Sequence, residues 1–204
     1  MITDTGALSN GLGSSTTAAK GSLDEQLIAR IAGGNRLAIR VLFARFNERV
    51  YRFALRLTDD AALADDVVSE VFFEVWRKAA TFEGRSQVST WILGITRNKA
   101  LDARKARSAD GWDDEAAQAV EDPAANPESE YQKKDLRAVM RKCLAQLSPA
   151  HREIIDLVYY HGKSIDEIAW LTGAGQATVK TRMFYARKHL AELLGAYGIT
   201  TAAA

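Results

Sequence analysis

The chain has 204 residues, of which 47% are hydrophobic and 26% charged, and its formal net charge is +1. These proportions are those of an ordinary globular protein and exclude a collagen-like, coiled-coil or wholly disordered chain. The single cysteine, Cys143, excludes an internal disulfide framework and a cysteine-based zinc site. No apolar run approaches the roughly 20 residues that cross a bilayer, and the N-terminus lacks the features of a secretory signal. We therefore expect a cytoplasmic protein.

The first half of the chain divides into a tail and a helical segment. Residues 1–22 are rich in Gly, Ser, Thr and Ala without apolar periodicity, which predicts a flexible tail. Residues 23–107 lack proline, and their apolar residues recur at steps of three and four, which predicts an all-α domain interrupted at 82–86. The three apolar faces are Leu37, Val41, Leu42, Phe46, Val50, Phe53, Ala54 and Leu57; Leu63, Val67, Val71 and Val75; and Thr90, Trp91, Ile92, Ile95 and Leu101.

Charge alternates in blocks along the chain. The net charge is −1 over residues 1–35, +5 over 36–57, −6 over 58–76, +6 over 77–107, −8 over 108–130 and +5 over 131–204. Any one block could be a solvated helix face. Their alternation favours several distinct charged partners or surfaces over one uniform field.

The second half begins with a change in composition. Residues 108–130 hold eight acids, no base and two of the three prolines, which predicts a flexible acidic linker. Residues 131–197 are helical again, with Leu136, Met140, Cys143 and Leu147 as an apolar seam, and residues 198–204 form a short tail. Ser148–Pro149 predicts a helix start, Gly162 a helix end, and Ser164 with Glu167 a capping box.

Residues 164–194 carry the most specific pattern. A short capped helix, a turn around Gly173 and Gly175, and a longer helix have the layout of a helix-turn-helix, whose second helix lies in the major groove of DNA. The inward face of that helix is predicted at Val179, Met183, Ala186, Leu190 and Leu193. Its other side chains include Gln, Lys, Thr and Arg, which read base edges or hold phosphates. The alternative is a helical hairpin with a solvated basic face.

Two blocks of motifs resemble the extracytoplasmic-function (ECF) sigma factors of the sigma-70 family. Residues 164–169 and 178–190 resemble region 4.2 of that family, and residues 42–46, 64–76 and 89–102 resemble its region 2. The resemblance covers residues 23–107 and 131–194. It implies two small all-α domains, region 2 over 23–107 and region 4 over 131–197, joined by the linker 108–130.

The resemblance implies that the acidic helix at 63–79 contacts core RNA polymerase at the clamp of the β′ subunit. The residues implied are Asp66, Ser69, Glu70 and Glu74, with Ser69 standing where the family usually has Gln. The pattern itself favours a cationic partner, because the three acids repeat at i, i+4 with no base within 58–76. The alternative is a solvated acidic stripe.

The resemblance also implies both promoter contacts. Phe82 and Asn98 match positions that form a pocket for a flipped base of the −10 element. The backbone phosphates there would be held by Arg97, Lys99, Arg104 and Lys105. The −35 element would be bound by Gln176, Thr178, Lys180, Thr181, Arg182, Tyr185, Arg187 and Lys188. Trp91, spaced helically with Ile92 and Ile95, is predicted to be a core residue and not a stacking platform.

The partners implied are core RNA polymerase, through the β′ clamp and the β flap, and promoter DNA. Anti-sigma factors are a further class of partner in the family, and no residue of this sequence identifies one. The acidic linker resembles the segment that threads through polymerase channels, with a plain spacer as the alternative. No cofactor, metal or membrane insertion is expected.

Catalytic motifs are absent from the sequence. His151, His161 and His189 form no metal-binding pair, and there is no Gly-rich phosphate loop or nucleophile elbow. Cys143 is predicted to be a buried structural thiol. The sequence thus predicts a non-enzymatic ECF sigma factor that directs promoter-specific initiation. The alternative is a stand-alone helix-turn-helix regulator that binds DNA without polymerase, while the basic second helix disfavours an adaptor without DNA contact.

Overall fold

A computed structural model of the chain describes residues 22–109 and 130–199, with side chains described from 136 onward in the second range. These two ranges contain eight α-helices and one 3-10 turn, and no strand. The predicted all-α fold is therefore confirmed. Almost all of the predicted tail and linker lies outside the described residues. No described helix is both long enough and apolar enough to cross a membrane.

The N-terminal bundle consists of four helices. They are α1 (Leu23–Ala32), α2 (Arg36–Thr58), α3 (Ala61–Lys78) and, after a 3-10 turn at Ala79–Thr81, α4 (Val88–Ala109). Side chains before each of the first three helices cap them: Ser22 forms a capping box with Glu25, Asn35 accepts from the N–H groups of Leu37 and Ala38, and Asp60 accepts from that of Leu63.

The apolar face predicted for α2 is partly wrong. Leu37 is 69% exposed and Val41 is 48% exposed, whereas the neighbouring positions Ala38 and Leu42 are buried. The buried row of α2 continues from Ala38 and Leu42 through Phe46 and Val50 at the i, i+4 spacing of one helix face. Leu37 and Val41 lie one residue away from that row. The buried surface of α2, which packs on α1, α3 and α4, therefore covers fewer positions than the apolar residues of the sequence predicted.

The C-terminal bundle also has four helices. They are α5 (Glu130–Ala145), α6 (Pro149–Tyr159), α7 (Ile165–Thr172) and α8 (Gln176–Ala196). The predicted cap of Ser148 with proline at the first turn of α6 is confirmed, as is the Ser164–Glu167 capping box of α7. Of the apolar seam predicted from Leu136 to Leu147, Cys143 of α5 and Leu147 just after that helix are buried, and Leu136 is 47% exposed.

The two bundles pack directly against each other. One continuous cluster of buried apolar residues begins in α1–α4 and includes Ile154 and Leu157 of α6, Ile168 and Leu171 of α7, and Val179 of α8. A smaller cluster within the C-terminal bundle is formed by Leu147, Ile155 and Ala186. The sequence predicted two domains, and it gave no indication of this contact between them.

Candidate polymerase and promoter-DNA surfaces

Helix α3 presents part of the predicted acidic stripe to solvent. Asp66, Ser69 and Glu70 are exposed, while Val67, Val71 and Val75 on the opposite face are buried. Glu70 lies 3.0 Å from Lys99 Nζ, and the Glu70 side chain remains 60% exposed. A surface ion pair of this kind is weak, about 1 kcal/mol or less, so Glu70 can exchange Lys99 for an external cation.

Glu74 is buried, whereas the sequence predicted that it belongs to an exposed acidic stripe. It is only 7% exposed, and its carboxylate lies 2.8 Å from Arg77 Nη2 and 2.6 Å from Lys78 Nζ. The hydrogen bond from Lys78 lowers the pKa of Glu74, opposed by burial and aided by Arg77. These two cations follow directly after the segment 58–76 in which no base was found. Glu74 is thus paired with two cations of its own helix, and its burial differs from the exposed position predicted for it.

The predicted −10 surface contains exposed residues and residues that contact other side chains of the protein. Asn98, Arg104 and Lys105 are exposed along α4. Phe82 is half-buried, with its ring centroid 5.1 Å from that of Trp91. Trp91 itself packs against the core cluster, as its spacing predicted. Phe82 is therefore held in place by an aromatic neighbour, and Asn98 is the most accessible of the predicted base-contacting side chains.

Three of the basic residues predicted to hold −10 phosphates have intramolecular partners. Lys99 pairs with Glu70, as described, and the Arg104 guanidinium donates to the Leu57 carbonyl at 3.3 Å. Arg97 lies 2.5 Å from Glu153 of α6 and is the least accessible of the set, with a side chain 19% exposed. Of these contacts, only that of Arg97 joins the two bundles.

The helix-turn-helix has the predicted geometry. Helix α7 ends at Thr172, and the next residue, Gly173, adopts a left-handed conformation with φ of 67° that allows the sharp turn into α8. Ile168 and Leu171 of α7 and Val179 of α8 are buried between the helices. The predicted inward residue Ala186 is also buried, and Leu194 replaces Leu193 as the deepest residue of the last turn.

Most of the predicted −35 residues of α8 are exposed. Of the eight residues, Arg182 is half-buried. The other seven are exposed: Gln176, Thr178, Lys180, Thr181, Tyr185, Arg187 and Lys188. Phe184 is also exposed, and its ring centroid lies 5.4 Å from that of Tyr185. The arrangement offers basic, amide, hydroxyl and aromatic groups on one helix with no competing carboxylate before Glu192. That is the chemistry of a DNA-recognition helix.

Several charged residues of the C-terminal bundle have positions that the sequence did not predict. Glu153, Asp156, Lys163 and Glu167 all contact the N-terminal bundle. Charged side chains are ordinarily solvated, so nothing in the sequence distinguishes these four residues from surface residues. Among the described residues no group of His, Cys, Asp and Glu could hold a metal ion.

Comparison with known proteins identifies both bundles. The Sigma-70 region 2 family model matches residues 42–109, and the Sigma-70, region 4 model matches residues 137–190. The ECF RNA polymerase sigma factor SigL of Mycobacterium tuberculosis is 31% identical over 180 residues, which cover 85% of this chain and 99% of SigL. The ECF RNA polymerase sigma factor SigK of Mycobacterium bovis is 27% identical over 173 residues, covering 83% and 92% of the two chains.

Two solved structures are similar over most of the chain. CnrH, in complex with the cytosolic domain of CnrY, is 26% identical with a TM-score of 0.62, covering 85% of this chain and 97% of CnrH. The sigma factor RpoE of Bartonella quintana, in complex with the anti-sigma factor NepR, is 28% identical with a TM-score of 0.62, covering 76% and 96%.

The fold and the two matched regions define a sigma-70-type transcription initiation factor. Within that class, the chain belongs to the ECF RNA polymerase sigma factors. The N-terminal bundle is hereafter called region 2 and the C-terminal bundle region 4.

Proposed function

We propose that this ECF sigma factor divides promoter-specific initiation between three surfaces: α3 for core polymerase, α4 with the preceding loop for the −10 element, and the N-terminal half of α8 for the −35 element. The observation that carries the proposal is that α8 exposes basic residues while α3, in the other region, exposes acidic ones. A protein with both faces suits two partners of opposite charge.

The polymerase contact is assigned to the exposed acids of α3. Asp66 and Glu70 would meet basic residues of the β′ clamp, with Ser69 as a polar contact between them. Because Glu74 is buried against Arg77 and Lys78, it supports the helix and does not contribute to that contact. Region 4 would engage the β flap.

The −10 contact is assigned to the loop before α4 and to the exposed side of that helix. Asn98 would hydrogen-bond the edge of a flipped base, and Phe82, positioned by Trp91, would form one wall of its pocket. Arg104 and Lys105, both exposed, would hold the backbone without reading sequence. Arg97 and Lys99 would join them once released from Glu153 and Glu70.

The −35 contact is assigned to α8. Its N-terminal half carries Gln176, Thr178, Lys180 and Thr181 on the accessible side, where a recognition helix faces base edges. Arg187 and Lys188, two turns further on, would hold phosphates. Arg182, half-buried near the inward face, is placed for the backbone and not for the bases.

We assign the protein to the cytoplasm, where its polymerase partner works, and expect an anti-sigma factor to control it. Support for the second point comes from the sigma factor RpoE, which is similar to this chain and whose structure was solved in complex with the anti-sigma factor NepR. The structure of CnrH, also similar, is a complex with the cytosolic domain of CnrY.

A mobility-shift assay with and without core polymerase tests the proposed division of labour. We expect weak binding of promoter duplex by the free protein and tight, sequence-dependent binding by the reconstituted holoenzyme. Tight sequence-specific binding by the free protein, unchanged by core polymerase, would favour a stand-alone helix-turn-helix regulator instead.

A further inference from the structure

The N-terminal half of α2 exposes a row of apolar side chains. Leu37 and Val41 are exposed, as described, and so is Ala44. These residues follow one another at steps of four and three, which places them on one side of the helix. None of the described helices buries this row, although α1, α3 and α4 pack on other parts of α2. The row is therefore accessible to another molecule.

Arginines border the apolar row on both sides. Arg40 follows Leu37 by one helical turn on one side, and Arg45 and Arg49 lie on the other side. All three arginines are exposed. Arg45 lies 2.9 Å from Asp24 of α1, whereas neither Arg40 nor Arg49 has a charged partner among the described residues. Each border of the row thus carries a guanidinium that can pair with an external carboxylate.

The spacing of the row is that of a seam between two packed helices. Steps of four and three residues separate the a and d positions of a heptad, whose side chains insert between those of a second helix. In that numbering Val41 is an a residue, Leu37 and Ala44 are d residues, and Arg40 and Arg45 occupy the flanking g and e positions. Charges at e and g select the charge of the partner helix. Arginine at both favours a partner with Glu or Asp beside its own apolar row.

Three other occupants fit this surface less well. A second copy that docked by the same side of α2 would bring Arg40 and Arg49 of both chains together, and like charges across an interface repel. A helix that lies on a membrane buries a wide apolar face in the lipid, whereas this row consists of one Leu, one Val and one Ala. DNA is held mainly through its phosphates, which offer the arginines a partner and Leu37 none.

We propose that this side of α2 docks an acidic amphipathic helix of another protein. Leu37 and Val41 pack against the apolar row of that helix, and Arg40 and Arg49 pair with carboxylates at its borders. The net charge of +5 over residues 36–57 favours an acidic partner of this kind. The docking surface lies on a different helix from the exposed acids of α3 and the exposed side of α4, so it is separate from the contacts proposed for polymerase and for the −10 element.

Selection from a displayed library of helical peptides tests the chemistry of the surface. The full-length chain is the bait, and peptides are retained only if they fail to bind a chain carrying Leu37→Ser and Val41→Ser. That variant should keep the native midpoint of thermal unfolding, because both residues are exposed. We expect the retained peptides to have a net negative charge and apolar residues at steps of four and three. Retained peptides without a net negative charge, or none that depend on Leu37 and Val41, would overturn the proposal.

Charge reversal measures the contribution of the two arginines to the binding of a retained peptide. Arg40→Glu combined with Arg49→Glu should weaken binding by about tenfold or more and slow association. Arg137→Glu combined with Lys188→Glu reverses two exposed bases of region 4, so it is the matched control and should bind as the native chain does. Equal affinities for the native chain and the Arg40 and Arg49 variant would overturn the proposal.

Photo-cross-linking in the native cell tests whether the chain has such a partner. Benzoylphenylalanine in place of Leu37 should give a protein adduct that the same group in place of Asp102, an exposed residue of α4, does not give. The adduct should disappear when Arg40→Glu and Arg49→Glu are added, and its cross-linked peptide should have acids beside an apolar row. An adduct with lipid, nucleic acid or a second copy of this chain, or no adduct specific to Leu37, would overturn the proposal.

Discussion

The Arg97 guanidinium donates to the Glu153 carboxylate at 2.5 Å and so joins a helix of region 2 to a helix of region 4. Both side chains are largely shielded from solvent. Arg97 is also one of the residues assigned to promoter phosphates, while Asn98, the next residue, is exposed. One turn of α4 therefore presents one face to the neighbouring region and another to the solvent.

Reversing the exposed acids of α3 should weaken the binding of core polymerase. We expect Asp66→Lys with Glu70→Lys to reduce competition for core enzyme, because both carboxylates are exposed and would repel a basic clamp surface. Stability should change by no more than about 0.5 kcal/mol, as for other surface substitutions. Competition against a labelled native chain and thermal unfolding measure the two effects. Undiminished competition by the double variant would contradict the assignment.

Glu74→Lys should behave differently from those two changes. Because Glu74 is buried beside Arg77 and Lys78, a lysine would place a third cation in one shielded site. We expect a lower midpoint of thermal unfolding for the isolated protein. A variant that has the native unfolding midpoint yet fails to bind polymerase would show that Glu74 belongs to the polymerase contact.

Asn98→Ala should impair promoter opening more than initial docking. The side chain is exposed on α4, so its loss should cost the fold little, while a flipped −10 base would lose a hydrogen-bonding partner. Permanganate footprinting on duplex and pre-melted promoters measures the opening. Asp102→Ala, an exposed residue one turn further along α4, is the control and should open promoters normally. A defect confined to the −35 half would count against the assignment.

Lys180 and Arg187 should differ in what they contribute to the −35 contact. Lys180→Ala should change the preferred −35 sequence, with about 1–3 kcal/mol of discrimination lost at one position. Arg187→Ala should weaken all promoters alike and reduce the salt dependence by about one counterion. Promoter-library enrichment and salt titrations on the holoenzyme measure both. If Arg187→Ala shifts the preferred sequence and Lys180→Ala does not, the orientation assigned to α8 is wrong.

The inward face of α8 provides the stability control for that experiment. Val179 is 1% exposed and packs with Ile168 and Leu171 in the common core cluster. Val179→Asp would place an unpaired charge there, and we expect a loss on the order of 4 kcal/mol. Thermal unfolding followed by circular dichroism checks it, with Thr178→Asp at the adjacent exposed position as the comparison. Equal midpoints for the two variants would contradict the assigned inward face.

Acid should weaken the interdomain contact at Glu167. Burial raises the pKa of this carboxyl, but the hydrogen bonds from Thr90 and the Ser164 N–H, with Lys163, outweigh it and hold the pKa below the ordinary 4.5. A lowered pKa contributes stability that is present above pH 4.5 and lost as the pH falls through the lower value. The midpoint of thermal unfolding should fall in that window, and Glu167→Gln should lower the midpoint already at neutral pH. A Glu167→Gln chain that unfolds at the native midpoint would contradict this role.

Local features of the fold were predictable because their causes lie within a few residues. The caps at Ser148 and Ser164, the turn at Gly173 and the buried face through Val179 each follow from short-range hydrogen bonding or helical spacing. These features were sufficient to indicate the helix-turn-helix. The exposure of Leu37 was not predictable. Leu37 and Val41 are four residues apart, as are the buried residues Ala38 and Leu42, so spacing alone does not show which of the two rows is buried.

The contacts between the regions lay beyond what spacing can reveal. Arg97 and Glu153 are 56 residues apart, and Thr90 and Glu167 are 77 apart, with an acidic segment between them. Pairing over such distances depends on how two helical surfaces meet, which local periodicity does not encode. The pairing of Glu74 was missed at short range as well. Its partners Arg77 and Lys78 belong to the basic segment that begins at residue 77, and the prediction considered only bases within residues 58–76.

The central claim is that this chain acts on DNA as part of RNA polymerase. Co-purification of the tagged, full-length chain from its native cell, followed by sequencing of the DNA bound by the purified complex, tests it most directly. We predict recovery of the core polymerase subunits together with DNA upstream of transcription starts that shares two spaced elements. Recovery of specific DNA with no polymerase subunit would contradict the claim.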